Sequence, residues 1–387
     1  MGTSVGAGDG VLLHVTPAGS WAWVGLRLAP ARALGGHRGY ADVPEQERRR
    51  QAVAAELAWL RAQCRPGEGS RFDLRYVTEP GTGSVRAVLL GQVVAAGSEQ
   101  ALSQGLALRK RLAALPAHLV ARPITDSAEL LAELRPVDPA HEVVEVRKRL
   151  TALPMRRPDS DRSHAVLADP LVATGESWEP VWAALAALAA RAERTVLSVA
   201  LEPVQSAPAE LAELARYAAE YRRLATPGHT APPWPQILPG DPAAQQAAAA
   251  LEQAARRLAA PCYRIRVTLA GPGAGQLAPL LAGVAGAAVL PVAPVDHPVV
   301  HANLAGLNLA PLPASYPQSL PQGHYGWVEQ TLSSVADPDE AAAVLRLPYE
   351  ILTHRQLFDD RFVIAAAAPE PPHEASLKAP EPPFPDL

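Results

Sequence analysis

The sequence predicts an α+β fold of two βαββαβ units in tandem, the second carrying a helical-hairpin insertion and followed by a disordered Pro-rich tail. Three observations carry that expectation. Phe72, Leu74 and Tyr76 alternate with Arg71, Asp73 and Arg75, the period of two of a strand with one dry and one wet face. Past the turn residues Pro80, Gly81 and Gly83, residues 85–94 form a nearly continuous apolar run, which suits a strand covered on both faces. Strand and helix signals then recur in the same order in the second half, by pattern and without residue identity between the halves.

The elements follow in order. Residues 1–10 are small and Gly-rich and are expected to be disordered. Residues 11–14 and 21–28 read as strands parted by Pro17 and Gly19. Pro44 opens a helix to about Cys64, with Val53, Leu57, Leu60 and Cys64 on one face. The 71–96 hairpin comes next. Ser98 is the expected N-cap of a helix whose buried stripe is Ala101, Gly105, Leu108, Leu112 and Leu115. Arg109, Lys110 and Arg111 suit its C-terminal dipole. A strand at 118–124 and a short helix at 128–134 complete a first unit, 11–136.

The second unit, 143–303, repeats the plan. A strand at 143–150 leads into a polar loop at 154–175. Ser177 caps a helix carrying Trp178, Trp182, Leu185 and Leu188, and a strand follows at 195–201. The insertion, 209–259, is two helices, the second capped by Asp241. Tyr263, Ile265, Val267 and Leu269 alternate as a strand, 277–285 is a helix, and 289–300 returns as strand. Without the insertion both halves read as the split β-α-β order of ferredoxin-like domains. Residues 304–364 are irregular with short helices at 327–335 and 339–345, and 365–387 is the acidic, Pro-rich tail.

Composition narrows the function. Hydrophobic residues reach 48% but aromatics only 5%, so the cores are built from Ala, Leu and Val. The net charge of -4 disfavours a direct grip on nucleic acid. Cys64 and Cys262 are the only cysteines and form no CxxC pair, which argues against structural zinc and suits a reducing cytoplasm. The start lacks the charged and apolar regions of a signal peptide. The apolar run 183–190 is too short to span a membrane and meets Arg191, Glu193 and Arg194. A soluble, cytoplasmic protein is expected.

No stretch carries a catalytic signature. Lys110, Lys148 and Lys378 are the only lysines and none completes a P-loop. Gly271, Gly273 and Gly275 could cradle an anion between strand and helix, but Pro272 removes a donor, and a plain turn is the simpler reading. Asp296, His297 and His301 are the best metal candidates. On a strand, however, the two histidines would lie about 13 Å apart, too far for one ion. Glu202 ends a strand and is expected to be solvated. Arg147, Lys148 and Arg149 read as a solvated basic face. No metal or cofactor is expected. A small-molecule site would use the loops at 271–275 and 296–301.

Toward the C-terminus a resemblance emerges. The stretches PVVHANL at 298–304, QTLSSVAD at 330–337 and EAAAVLRLPYE at 340–350 resemble the lead-in to the ATPase core of HerA–FtsK superfamily proteins. That superfamily includes the ATPases of conjugative and type IV secretion systems. There an EAAxxxRLP stretch closes the non-catalytic N-terminal region. FDLRYVTEP at 72–80, VRAVLLGQVV at 85–94 and LEP at 201–203 are similar to the same region in actinobacterial members. The resemblance runs from about Trp21 to Phe358, and the P-loop core that should follow Pro348 is missing. It implies a non-catalytic accessory region working as an adaptor for a separately encoded DNA-translocating P-loop ATPase, with any homo-oligomer formed through that partner. It also implies that 337–350 meets the partner, through Glu340, Arg346 and Pro348. The alternative is that Val344, Leu345 and Leu347 simply complete the chain's own core.

Overall fold

The computed structural model describes residues 3–7, 10–31, 34–173, 178–191, 193–229, 236–309, 320, 326–350 and 357–359. Its first half runs β1 (Thr3–Ala7), β2 (Val11–Thr16), β3 (Gly19–Pro30), α1 (Glu45–Gln63), β4 (Ser70–Thr78), β5 (Val85–Ala95), α2 (Ser98–Leu112), β6 (Leu119–Pro123) and α3 (Ser127–Leu134). The second half runs β7 (Val143–Arg147), β8 (Leu150–Pro154), β9 (His164–Ala168), α4 (Glu179–Ala190) and β10 (Val196–Val204), then α5 (Pro208–Ala225), β11 (Gly228–His229), β12 (Ile237–Leu238) and α6 (Pro242–Leu258). It continues through β13 (Cys262–Ala270), α7 (Ala274–Ala285), β14 (Ala288–Pro291), α8 (His297–Gly306), α9 (Trp327–Ser334), β15 (Val335–Ala336) and α10 (Pro338–Val344).

The chain is mixed α+β around one antiparallel sheet in the order β1-β2-β3-β5-β4-β10-β13-β7-β14, with β6 also on β3 and β15 also on β13. Within it the first half contributes β6-β3-β5-β4 and the second β14-β7-β13-β10. The halves meet where β4 pairs with β10, from Phe72 opposite Leu201 to Val77 opposite Val196.

Alternation assigns the two faces. Phe72, Leu74, Tyr76, Leu89, Leu197, Val199, Leu201, Val267 and Leu269 point into one core shared with α1, α4, α7 and α10. The opposite face carries apolar patches under α3 and α8 and, between them, a buried polar band. A separate core joins α5 and α6 to Ala165 of β9 and to Val328, Leu332 and Val335. Asp241 caps α6 as expected, accepting from the Ala243 N–H at 2.9 Å.

Several expectations are corrected. Residues 3–7, read as disordered, form β1 on the edge of β2. The loop read at 154–175 contains half of the β8–β9 hairpin, Leu150 opposite Ala168. The strand read at 289–300 stops at Pro291, and 297–306 is helix. Pro298 lies in the first turn of α8, where its missing N–H does no harm. Gly97, with no side chain, holds the N-cap position expected of Ser98. The uncharged run 277–295, longer than 183–190, is divided among α7, β14 and the turns around them. Among the described residues no helix is long and apolar enough to cross a membrane. Ser177 and the tail lie outside the described residues.

Candidate functional site

The segment 337–350 is built from its N-terminus. Asp337 accepts from the Glu340 N–H at 2.8 Å and Pro338 fixes the first turn of α10. Exposure was expected of Glu340 and Arg346; both are 6% exposed, and Pro348 is buried as well. Partners inside the chain explain this. Glu340 accepts from Arg257 Nη1 at 2.6 Å and forms an ion pair with Lys148. Lys148 also donates to the Val335 carbonyl at 2.8 Å. Arg346 lies 3.2 Å from Glu56 and donates to the Ala342 carbonyl at 3.1 Å. The other oxygen of Glu56 accepts from the Leu347 N–H at 2.7 Å. The Tyr76 hydroxyl donates to the Arg346 carbonyl. Beyond Pro348, Tyr349 and Phe358 stack edge-on against Trp182 at 5.1 and 5.2 Å. Val344, Leu345 and Leu347 lie in the main core. In the segment 339–349 only Asp339 is exposed, paired with Arg61 at 2.9 Å.

Glu56 was missed by the sequence reading, although the signal was there: a carboxylate beside the apolar stripe of α1. Burial pushes it up to about 7, against the pull of Arg346 and the Leu347 N–H. Burial likewise holds the thiols of Cys64 and Cys262 at about 11 and about 12, so both stay protonated and poorly nucleophilic.

The wet face expected of Arg71, Asp73 and Arg75 is largely covered. Arg75 is fully buried and donates to Asp73 at 2.7 Å, to the Glu133 and Leu134 carbonyls at 2.5 and 3.1 Å, and to the Leu304 carbonyl at 2.5 Å. Its charge thus meets the negative C-terminal ends of both α3 and α8. Ser198 donates to Asp73 at 2.7 Å, and Arg266 to Glu145 at 2.7 Å and to the Asn308 carbonyl at 3.0 Å. Arg266 Nη2 has no hydrogen-bond partner among the described residues; its side chain lines a space of about 10 Å³, room for about one water.

The remaining candidates also change. Glu202, expected to be solvated, accepts from Arg71 at 3.0 Å and Arg264 at 2.5 Å. Arg147 and Lys148 are buried, not a solvated face, because Glu145 and Glu340 pair with them. At 271–275 the backbone turns through positive φ at Gly271 and Gly273, and a Cβ at Gly275 would meet the Glu142 carboxylate at 2.9 Å. A carboxylate there repels a phosphate. His297 and His301 share α8, four residues apart, rather than a strand; Nε2 of each lies 3.1 and 3.4 Å from the carbonyls of Val292 and His141. Among the described residues no group of three His, Cys, Asp or Glu could hold a metal ion.

His301 also borders an open groove of about 700 Å³ between α3, α8 and the β2–β3 hairpin, lined by Leu12, His14, Trp23, Arg135 and Pro298. Its lining brings together residues far apart in sequence, which no local pattern reveals. In comparisons with known proteins, the chain matches no family model and no curated sequence.

Proposed function

We propose that this chain is a non-catalytic accessory protein, two ferredoxin-like units in tandem, that serves as an adaptor for a separately encoded DNA-translocating P-loop ATPase of the HerA–FtsK type. The observation that carries the reading is the EAAxxxRLP-like stretch 340–348, seated as the closing element of a two-part α+β body. The shared strand order of the halves supports the tandem description. Pairing of the buried charges with one another supports a structural rather than catalytic use of them. Two free thiols favour a cytoplasmic setting. Because Glu340, Arg346 and Pro348 are buried, their part is to hold the segment, and the exposed pair Asp339–Arg61 is the contact we favour. Charge reversal at both positions should leave melting nearly unchanged and abolish co-purification with the product of an adjacent P-loop ATPase gene. Retained co-purification would remove this contact, and failure of the unaltered chain to co-purify would remove the adaptor reading.

The groove beside His301 favours a second reading, a small-molecule-binding protein. Ligand-induced thermal stabilisation that Trp23→Ala abolishes would select it over the adaptor.

A further inference from the structure

The sheet ends at β14, and its outer edge has no strand partner among the described residues. Natural sheet edges are usually blunted by charge or covered. Among the described residues this one is neither. Residues 277–295 contain no charged or hydrogen-bonding side chain. The elements bordering the strand add exposed apolar groups. Leu280 on α7, Val172 beside the end of α7, Val295 in the turn after β14 and Val299 on α8 are 41, 54, 82 and 49% exposed. The Val172 N–H donates to the Ala285 carbonyl at 3.0 Å, which fixes that residue next to the strand.

The hydrogen-bonding groups left on the edge follow from the register. Val292 donates to the Val143 carbonyl, and β14 pairs with β7 from Ala288 opposite Arg147 to Pro291 opposite Val144. Residues 288, 290 and 292 therefore bond to β7. By alternation Val289 turns both its N–H and its C=O outward, while Pro291 offers only a carbonyl. One donor and one acceptor on a single central residue form a self-complementary set. Two copies related by a two-fold axis at Val289 would exchange both bonds, and each would bring the same apolar flank to the other. A peptide of different sequence would satisfy the same bonds but would have no reason to match the flank.

We propose that two copies of this chain associate through β14, antiparallel about a two-fold axis at Val289, with Leu280, Val295 and their neighbours packed across the seam. The surface is distinct from the Asp339–Arg61 contact and does not depend on an ATPase.

Sedimentation equilibrium on the full chain alone tests it. The expected species is a dimer. Leu280→Glu combined with Val295→Glu, both at exposed positions, should give a monomer with unchanged circular dichroism. Val289→Pro removes the outward N–H together with the partly buried Val289 side chain, a backbone change an edge strand tolerates; with unchanged circular dichroism it should weaken association roughly tenfold or more, since it deletes one bond from each copy. If the double variant misfolds, Val289→Pro and Val299→Glu alone must show the weakening. A wild-type monomer at concentrations on the order of 100 μM would overturn the proposal. So would a dimer indifferent to all of these changes.

Discussion

Glu56 and His118 are buried groups whose protonation opposes one another. Glu56 sits at about 7 in the fold against an ordinary 4.5, so it favours folding below pH 4.5 and that support is lost as pH rises through 7. His118, next to the Tyr40 hydroxyl, is pushed by burial down to about 4 from 6.5. Its support is present above pH 6.5 and lost as pH falls through 4. Each effect is about 3 kcal/mol across its window, and in the native chain they largely cancel. Glu56→Gln should therefore lose stability on acidification from pH 6.5 to 4, and His118→Gln should lose it on raising pH from 4.5 to 7. Urea melts across pH check both; two flat profiles would contradict the assignment. Glu340→Ala removes the carboxylate that pairs with buried Lys148 and with Arg257 and should cost about 3–5 kcal/mol, part of it recovered by adding Lys148→Met. The charges of Glu340, Arg346 and Lys148 suggested surface because a lone sequence does not show partners. Lys148 and Glu340 meet across nearly two hundred positions.

Among the elements, the long periodic ones were legible: α1, β4, β5 and α6 lie close to where periodicity places them. Those that failed were short or carried mixed signals. The β8–β9 strands are five residues each, and α8 begins with His297-Pro298, which imitates an interrupted strand. The helical hairpin 209–259, an insertion by its place in the sequence, also packs on the rest of the chain. Its inner face packs on Ala165, Val328, Leu332 and Val335, and Arg257 binds Glu340. Replacing 209–259 by a short Gly/Ser loop should uncover α9 and β9. The product should stay folded, melt several degrees lower and bind the dye ANS, as newly exposed apolar surface does. An unchanged melting temperature and no dye binding would mean that the hairpin contributes nothing to the rest of the fold.

At the level of the whole molecule, the mixed α+β class was legible, but the β4–β10 junction was not. Nothing local tells a strand which of several free edges it will join. The alternation on β4 points its polar band to solvent because the sequence of α8, which covers that band, imitates an interrupted strand. The junction has a measurable result. The main core draws Leu60, Phe72, Trp182, Leu201, Leu269 and Val344 into one cluster across both halves. Calorimetry should show both halves melting in a single transition, with calorimetric and van't Hoff enthalpies in agreement. Two resolved peaks would mean that each half is stable by itself.

The backbone at Leu357–Asp359 pairs with Val85: the Val85 N–H donates to the Leu357 carbonyl at 2.8 Å, and the Asp359 N–H to the Val85 carbonyl at 3.0 Å. Val85 opens the hairpin strand made early in translation, and its partner is made more than 270 residues later. At roughly 5–20 residues per second the wait is on the order of tens of seconds. The nascent first half holds an unpaired β4 edge until β10 is made, and Val85 stays without its partner until Leu357–Asp359 follow, so one of the earliest strands is among the last to be completed.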